Sequence, residues 1–417
     1  MSLNDTPQGE RVHIALFGRR NVGKSSLINA ITNQNIALVS DVAGTTTDPV
    51  YKSMEILPVG PVVLIDTAGL DDAGKLGELR VKRSFSVLNK TDLVLLVIEA
   101  GCSLTAYEEE ILGISREKNI PVIIVLNKSD LTPAGPGSAK SLKERTGFDA
   151  VRVSAASSCG IDELKMAIIR NAPLTWDDRP IVGDLLNPGD HVVLVTPIDS
   201  AAPKGRLILP QVQTLRDILD HDCMATICQE TELEATLQLL TKKPALVITD
   251  SQVFKQADAA TPPEILLTSF SILFARQKGD LHTLALGAKA IDALQPGDRV
   301  LITEACTHHR VEDDIGRVKI PNWLRQHAGG ELQFEWASGT GYPDNLQEFS
   351  LIVHCGGCMI NRREMLSRLA QAQANDVPIV NYGVAIAHLM GVLPRALSPF
   401  PEIKDVIFPS DISREDD

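Results

Sequence analysis

Three cysteines and two histidines in the C-terminal half of the sequence have the residue types and spacing of a metal site. Cys306 and His308 are separated by one residue, and 45 residues later the run HCGGC supplies His354, Cys355 and Cys358. Thiolate sulfur and imidazole nitrogen are ligands of both zinc and iron. The pattern therefore predicts a metal or redox centre.

The spacing alone leaves several interpretations of this centre open. Three thiolates and one imidazole can close a zinc site, three thiolates can hold a 4Fe-4S cluster with one iron left for another ligand, and Cys-x-x-Cys can be a redox dithiol. Coincidence is the fourth interpretation. Gly356 and Gly357 would let the backbone approach an inorganic sulfide. We therefore favour the cluster, with His308 or His354 as a candidate for the fourth ligand and His309 as a rival of His308.

The elements before these cysteines predict how they come together. The run RVLITE precedes Cys306 and the run FSLIVH precedes Cys355, and both have the apolar character of buried strands. The carboxyl ends of neighbouring parallel strands meet at one edge of a sheet, where ligands bind. We expect the three cysteines to converge at such an edge.

A second chemical motif lies near the N-terminus, in RVHIALFGRRNVGKSSLINAIT. It reads as a strand, a loop and a helix, and Gly18 to Ser25 fit the phosphate-binding pattern G-x-x-x-x-G-K-S/T. Lys24 would place a cation beside the β and γ phosphates, and the Ser25 hydroxyl would ligate magnesium. The predicted phosphate-contacting residues are Gly18, Asn21, Val22, Gly23, Lys24, Ser25 and Ser26.

Three further motifs follow at the ends of apolar strands. In VVLIDTAG, Asp66 would reach the magnesium shell and Gly69 would offer a backbone N–H to the γ-phosphate. The runs VIIVLNKSD and VRVSAAS match the guanine-reading motifs of GTPases, with Asn127, Lys128, Asp130, Ser154 and Ala155. A carboxylate at Asp130 can accept hydrogen bonds from the guanine amine and ring N–H, a donor pair that adenine lacks. The motifs predict a GTP site.

This part of the chain resembles the Era, MnmE and EngA group of GTPases. In that group the segment that corresponds to SDVAGTTTDPV reads G-T-T-R-D, which assigns the magnesium-binding switch threonine to Thr46, with Thr45 as its rival and Thr47 in place of the arginine. Leu70 stands where Ras-like enzymes have a water-positioning glutamine, so we expect slow intrinsic hydrolysis. The resemblance also implies that Asn21 helps to hold a potassium ion. The alternative is that Asn21 is only a turn residue that tolerates left-handed geometry.

Length and composition limit the class of protein. A chain of 417 residues predicts two to four domains, and seven cysteines, an odd number, argue against a disulfide framework. The net charge of −13, without a long Lys/Arg run, argues against a nucleic-acid partner. We find neither a signal peptide nor an apolar run of about eighteen residues. The sequence predicts a soluble, cytoplasmic protein without a membrane partner.

Prolines and glycines predict the domain boundaries. We expect an α/β fold with a P-loop GTPase domain at 1–172, a linker at 173–187, a small α/β middle domain at 188–262 and a C-terminal α/β domain at 263–417. Nothing in the middle domain predicts catalysis. A scaffold or dimerisation role is therefore the default expectation for it.

A GTPase domain, a middle α/β segment and a C-terminal C-x-H…H-C-x-x-C together resemble the HydF family, the maturation GTPases of FeFe-hydrogenases. The resemblance covers nearly the whole chain and implies that Cys306, Cys355 and Cys358 bind a 4Fe-4S cluster. It further implies a scaffold that carries a di-iron precursor of the hydrogenase active site. The implied partners are two radical SAM maturases and the hydrogenase apoprotein, and we expect a homodimer.

Two other functions compete with this interpretation. A ribosome- or RNA-linked GTPase is supported by the N-terminal motifs alone, and the acidic charge weighs against it. An interaction module with degenerate nucleotide binding is disfavoured because Lys24, Ser25, Asp66 and Asp130 are all present.

Overall fold

The computed structural model describes residues 6–32, 49–67, 85–132, 138–173, 179–198, 207–305, 314–339, 342–343, 345–357 and 359–409. The chain divides into two compact units, Met1–Asp177 and Asp178–Asp417. Within the described ranges, every helix is too short or too polar to cross a lipid bilayer.

The first unit is a six-stranded sheet with the strand order β2-β3-β1-β4-β5-β6. Its strands are β1 (Val12–Phe17), β2 (Val50–Ile56), β3 (Gly60–Asp66), β4 (Leu93–Glu99), β5 (Val122–Asn127) and β6 (Asp149–Arg152). The described helices of this unit are α1 (Lys24–Thr32), α2 (Ala106–Glu117), α3 (Ser138–Thr146) and α4 (Ile161–Asn171). All neighbouring strands are parallel except β2 and β3.

Alternating side chains of β1 explain why this sheet is covered on both faces. Ile14 and Leu16 pack with residues of α1 and α4, whereas Ala15 and Phe17 pack with residues of α2 on the other face. Successive side chains of a strand point to opposite faces, so a continuous apolar run is what a sheet between two helical layers requires. The predicted P-loop α/β domain is confirmed.

The second unit contains two four-stranded sheets with only parallel neighbours. The first sheet has the order β10-β9-β7-β8 and consists of β7 (His191–Val195), β8 (Met224–Cys228), β9 (Leu246–Thr249) and β10 (Leu266–Ser269). The second has the order β12-β11-β13-β14 and consists of β11 (Arg299–Glu304), β12 (Gln333–Ser338), β13 (Leu351–His354) and β14 (Ile379–Asn381). One apolar core runs through both sheets.

Ten helices of the described ranges surround these sheets. They are α5 (Leu209–Asp220), α6 (Leu233–Leu239), α7 (Phe254–Ala260), α8 (Phe270–Lys278), α9 (Leu281–Asp292), α10 (Ile320–Ala328), α11 (Arg362–Ala374), α12 (Tyr382–Leu389), α13 (Leu393–Ala396) and α14 (Pro401–Ile407). Close packing is visible at Gly287 of α9, where an added Cβ would lie 1.9 Å from the carbonyl oxygen of Ile379 in β14. This glycine lets α9 lie directly against the backbone of the sheet.

Two predicted boundaries are wrong. The middle domain was placed at 188–262, but β10 at 266–269 pairs with β9, so the first sheet continues past that limit. The linker was placed at 173–187, but Ile181 and Val182 are buried in the core of the second unit. Strand pairing places the first boundary and burial of apolar side chains places the second, and the pattern of prolines and glycines records neither. The predicted middle and C-terminal domains form one unit.

Candidate functional site

The phosphate-binding loop joins the end of β1 to the start of α1. Gly18 has φ +149°, and a Cβ on it would lie 2.2 Å from the carbonyl oxygen of Val97. Gly23 has φ +92°, and a Cβ there would lie 2.3 Å from Nδ2 of Asn127. Both positions therefore require glycine, as the phosphate-binding pattern predicted.

Lys24 is buried beneath this loop. Its Nζ donates hydrogen bonds to the carbonyl oxygen of Gly18 at 2.8 Å and to that of Arg19 at 3.0 Å. The ammonium group is thus held against the loop at the beginning of α1. Because the amino end of a helix also attracts anions, the position suits the phosphates of a nucleotide.

The two predicted magnesium-shell residues of the described ranges are in direct contact. The Ser25 hydroxyl donates a 2.6 Å hydrogen bond to Oδ2 of Asp66. Asp66 is the last residue of β3, where it lies opposite Leu16 of β1. Burial raises the pKa of Asp66, while the Ser25 hydroxyl and the charges of Lys24 and Lys52 oppose the rise. A hydroxyl and a carboxylate in contact are a suitable pair of oxygen ligands for Mg²⁺.

Asn127 connects the phosphate loop to the predicted base-binding loop. Its buried side chain donates from Nδ2 to the carbonyl oxygen of Val22 at 2.8 Å. Its Oδ1 accepts a hydrogen bond from the backbone N–H of Ala155 at 3.1 Å. One amide therefore fixes the distance between two loops that the sequence predicted to bind different parts of GTP.

The other predicted base-reading residues are described as well. Lys128 has φ +57°, and its Nζ lies 3.3 Å from Oε2 of Glu99. Asp130 is exposed and accessible to a base. Ser154 is buried, and its hydroxyl accepts a hydrogen bond from the backbone N–H of Ser157 at 3.2 Å.

Asn21 is exposed in the phosphate loop and has φ +60°. This is the left-handed geometry expected of a turn residue, and asparagine tolerates it better than most side chains. The observation does not test the predicted potassium role. Ser26 is half-buried in the first turn of α1. The predicted switch residue Thr46 and the predicted γ-phosphate contact Gly69 lie outside the described residues.

The cysteine segments meet at the carboxyl edge of the second sheet. β11 and β13 are neighbours, with Thr303 opposite His354. The backbone N–H of Cys355 donates to the carbonyl oxygen of Thr303 at 2.9 Å, and the backbone N–H of Ala305 lies 3.2 Å from Cys355 Sγ. Ala305 directly precedes Cys306 in the chain, so the last described residue before Cys306 lies beside Cys355.

Cys306, His308 and Cys358 themselves lie outside the described residues. The glycines between Cys355 and Cys358 have different surroundings. Gly357 has φ +64°, and a Cβ there would lie 2.5 Å from Cε of Met365. Around Gly356, no atom of the described ranges lies within 4 Å of the position that a Cβ would take. Among the described residues, Gly356 is therefore open on the side where a Cβ would point, whereas Gly357 packs against Met365.

Two tyrosine hydroxyls near Cys355 provide a further test of what the site can hold. The hydroxyls of Tyr342 and Tyr382 are buried, and neither has a hydrogen-bond partner among the described residues. Burial, and next the charge of Cys355, raise the pKa of Tyr382 far above its ordinary value. Burial also raises the pKa of Tyr342, which the nearby Arg368 opposes and Cys355 reinforces. Within the described part of the chain both hydroxyls are donors without an acceptor, and the sulfides of a cluster could accept hydrogen bonds from them.

His354 is fully buried, and both ring nitrogens contact protein groups. Arg368 Nη1 lies 3.0 Å from Nε2, and the carbonyl oxygen of Cys355 lies 2.6 Å from Nδ1. A guanidinium can only donate, so Nε2 is the acceptor and Nδ1 carries the hydrogen. Neither nitrogen has a lone pair left for iron in this arrangement. The geometry disfavours His354 as a ligand and favours the alternative that it orients its neighbour.

The sequence did not predict the buried polar residues around His354 and Cys355. Arg368 is buried in α11, where its Nη2 donates to Oε1 of Glu364 at 3.1 Å and also to the carbonyl oxygen of Gly339. Tyr342 and Tyr382 come from two other parts of the chain. A charged pair at i and i+4 is common on exposed helices, so the sequence carried no signal that this pair is buried.

Three family models match this chain. The model of the hydrogen maturase F tetramerization domain matches residues 282–399, and that of the hydrogen maturase F dimerization domain matches residues 181–279. A model described as a 50S ribosome-binding GTPase matches residues 13–128. The two hydrogen maturase F models together cover more than half of the chain and include Cys306, Cys355 and Cys358.

The curated relatives described here match less than two fifths of this chain. The tRNA modification GTPase MnmE of Chromobacterium violaceum is 40% identical over 161 residues, which are 38% of this chain and 34% of the relative. MnmE of Lactobacillus helveticus is 41% identical over 157 residues, which are 37% of this chain and 32% of the relative. The chain thus spans about a third of the length of these relatives.

Solved structures give similar partial matches. The G domain of the T. maritima iron transporter FeoB is 25% identical, with 39% of this chain and 99% of that chain covered and a TM-score of 0.31. A variant of Era from Aquifex aeolicus, bound to GDP and aluminium fluoride, is 22% identical, with 52% and 93% covered and a TM-score of 0.35.

Proposed function

Because the chain belongs to the hydrogen maturase F family, we propose that it is a GTP-hydrolysing scaffold that carries a 4Fe-4S cluster. In this role it assembles or transfers the di-iron precursor of the FeFe-hydrogenase active site, in the cytoplasm. The observation that best supports cluster binding is the 3.2 Å contact between the backbone N–H of Ala305 and Cys355 Sγ. It supports convergence of three cysteines that are distant in sequence.

The first unit performs the GTP chemistry. Ser25 and Thr46 would hold Mg²⁺, with Asp66 in contact with Ser25, and the ion would supply positive charge beside the transferring phosphoryl group. Lys24 supplies a second positive charge at the β and γ phosphates. The backbone N–H of Gly69 holds the γ-phosphate.

Asp130 selects the guanine base. Its carboxylate accepts the exocyclic amine and the ring N–H of guanine, and xanthine carries a carbonyl oxygen in place of that amine. Asp130→Asn should therefore lose GTP affinity and gain affinity for xanthosine triphosphate, measured by competition against a fluorescent nucleotide. Equal weakening of both nucleotides would contradict the assignment.

Asn21 is proposed as a potassium contact that compensates for the missing glutamine at Leu70. Hydrolysis should be faster in potassium than in sodium at equal ionic strength, and Asn21→Asp or Asn21→Ala should reduce the difference. Asn21→Gly separates the two roles of this residue, because glycine keeps the left-handed geometry but lacks the amide. It should lose the potassium effect if the amide contacts the ion and keep it if Asn21 is only a turn residue. Equal turnover of the wild type in both salts would exclude the potassium role.

The second unit holds the cluster through Cys306, Cys355 and Cys358. When bound, the cluster supplies an iron with an exchangeable position to which cargo can attach. Anaerobic reconstitution should give a brown protein with iron and sulfide bound, and Cys355→Ser should lose most of both. Cys228→Ser is the matched control, since Cys228 is also a buried cysteine of the second unit but lies in β8. A colourless wild type with one zinc per chain bound by cysteine sulfur would refute the proposal.

The role of His354 can be tested on the same cluster. We propose that it orients the Cys355 carbonyl, while His308 remains the candidate for a nitrogen ligand. His354→Ala should bind as much iron and sulfide as the wild type. Any nitrogen coupling in the pulsed spin-resonance spectrum of the reduced wild-type cluster should also be present in the spectrum of His354→Ala. A coupling that disappears only in His354→Ala would identify His354 as a ligand.

The proposed partners are two radical SAM maturases and the hydrogenase apoprotein. GTP state would change the contacts with these proteins, while the iron chemistry itself proceeds without hydrolysis. Chain loaded by both maturases should activate apo-hydrogenase, and chain carrying Cys355→Ser should fail. If Cys355→Ser activates as well as wild type, the scaffold role is wrong.

Self-association through residues 181–279 is proposed to give a homodimer. β8 lies at an edge of its sheet, and Met224 and Ile227 on it are exposed apolar residues. An edge strand with apolar side chains is suited to pairing with another chain. Met224→Lys should weaken the dimer in light-scattering measurements. Met166→Lys, an exposed methionine of α4, should leave it unchanged.

A further inference from the structure

We infer that Asp292, His327 and His388 form a second metal site, which takes a divalent ion of the zinc class. Nε2 of His327 lies 3.0 Å from Oδ1 of Asp292, and Nε2 of His388 lies 2.8 Å from the same oxygen. One candidate ligand atom from each residue lies within 4.8 Å of the other two. Two imidazoles and one carboxylate are the protein ligands of many zinc sites that keep a position open for water.

The three residues come from the carboxyl ends of three different helices. Asp292 ends α9, His327 lies in the last turn of α10 and His388 lies in the last turn of α12. The carboxyl end of a helix carries partial negative charge, which attracts cations. The carboxyl ends of three helices and the Asp292 carboxylate together produce a negative electrostatic potential, which a bound cation would neutralise.

This cluster lies at the opposite edge of the sheet from the cysteines. Asp292 precedes β11 and His327 precedes β12 by only a few residues, and Gly297 N–H donates to the carbonyl oxygen of Glu331 between the two turns. Both therefore lie at the amino edge, whereas Ala305 and Cys355 lie at the carboxyl edge. β11 has six residues, so the two sites are separated by about 20 Å. An ion bound to the histidines would not share ligands with the cluster.

Access and charge also suit a metal ion. The Asp292 side chain is about half exposed, His327 is partly exposed and His388 is mostly buried, so an ion can reach the site from solvent. The exposed Asp292 carboxylate is ionised at neutral pH and can bind a cation.

The structural alternative is that Asp292 only links the three helices through its two hydrogen bonds to His327 and His388. Zinc would replace the two hydrogens of those bonds. Bonds of 2.0 to 2.1 Å in a tetrahedral site place neighbouring ligand atoms about 3.3 Å apart, so each of the two Asp–His pairs would open by a few tenths of an ångström. Side-chain rotation at helix ends can supply this movement.

Zinc titration of the full-length, cluster-loaded chain tests the site. Calorimetry should show one zinc ion bound per chain, and X-ray absorption at the zinc edge should show nitrogen and oxygen ligands near 2.0 Å without sulfur near 2.3 Å. His388→Gln and His327→Gln should each weaken binding at least about tenfold, since even changes outside the ligand shell can cost that much. Asp292→Asn should do the same while it keeps an acceptor for the hydrogen bonds.

His282→Gln is the matched control because His282 is an exposed histidine at the other end of α9. It should bind zinc as the wild type does. Circular dichroism and the melting temperature identify any variant that fails to fold, and Asp292→Asn then decides the question. Zinc binding that is unchanged in Asp292→Asn and His388→Gln, or a sulfur shell in the wild type, would overturn the inference. Neither result depends on whether the chain matures hydrogenase.

Discussion

The hydroxyl of Ser25 donates a 2.6 Å hydrogen bond to the carboxylate of Asp66. The two residues are 41 positions apart in the chain, and the parallel pairing of β1 with β3 brings them together. The contact places the hydroxyl proposed to bind Mg²⁺ beside a carboxylate that is also proposed for the magnesium site. The magnesium site is thus partly organised by the sheet itself.

Removal of either partner should therefore reduce magnesium-dependent GTP hydrolysis. We expect Ser25→Ala and Asp66→Asn each to lower the turnover number on the order of a hundredfold, as the loss of one electrostatic contact in an active site typically does. Phosphate release measured across a magnesium titration checks this. Thr32→Ala is the control, because Thr32 also carries a hydroxyl on α1 but bonds the carbonyl oxygen of Ile28. A similar loss in Thr32→Ala would indicate damage to the helix.

Asn127 should matter for nucleotide affinity as well as for stability. Asn127→Ala leaves the carbonyl oxygen of Val22 and the N–H of Ala155 without their buried partner, which costs about 1 to 3 kcal/mol for each group. GDP affinity and the melting temperature should fall together. Asn127→Asp keeps the acceptor for Ala155 but places a carboxylate against the Val22 carbonyl. A variant that loses affinity without any loss of stability would contradict the bracing role.

The hydroxyls of Tyr382 and Tyr342 should tune the cluster. Hydrogen bonds to cluster sulfurs favour the reduced, more negative state, so loss of a donor should lower the reduction potential. We expect Tyr382→Phe and Tyr342→Phe to shift the potential downward in a spin-resonance redox titration, with the iron content unchanged. Tyr51→Phe, a change of an exposed tyrosine in β2, is the control. Unchanged potentials in both buried variants would show that these hydroxyls do not face the cluster.

The first unit should lose stability in mild acid because of His13. Burial lowers the pKa of His13 from 6.5 to about 4, aided by Lys90 and opposed by the Arg11 carbonyl. Asp92 Oδ2 lies 3.8 Å from Nδ1 and would favour the charged ring, but Nδ1 is 2.8 Å from the Arg11 carbonyl and the loss of solvent dominates. Between the two pKa values only the unfolded chain binds the proton. Stability is therefore full above pH 6.5 and falls by about 3 kcal/mol as the pH drops to about 4.

Calorimetry can isolate this effect. The transition of the first unit is the one that GDP moves to higher temperature, because ligands stabilise the state that binds them. Its midpoint should fall between pH 6.5 and 4, and His13→Gln should remove most of the fall, since glutamine does not titrate. If His13→Gln retains the full acid sensitivity, another group is responsible.

The sequence by itself determined the chemistry of the phosphate loop. Glycine, lysine and serine at fixed spacing specify such a loop because they provide the backbone geometry, the cation and the hydroxyl, and Gly18 and Gly23 take the positive φ values that this requires. Apolar runs likewise specified the strands, since a parallel sheet covered on both faces needs continuous apolar side chains. These features are local, so spacing along the chain is enough to reveal them.

Only the tertiary structure decided which distant side chains share an environment. The sequence shows that His354 has two ring nitrogens that could bind a metal. In the structure Arg368 contacts one of them and the carbonyl oxygen of Cys355 contacts the other, so neither is left for a metal. Asp292, His327 and His388 are 35 and 61 residues apart and become neighbours because three helices end at one edge of a sheet. The predicted end of the middle domain at residue 262 differs from the structure for the same reason, because the pairing of β10 with β9 depends on contacts across the fold. Partners of this kind are set by packing, which spacing in the sequence does not record.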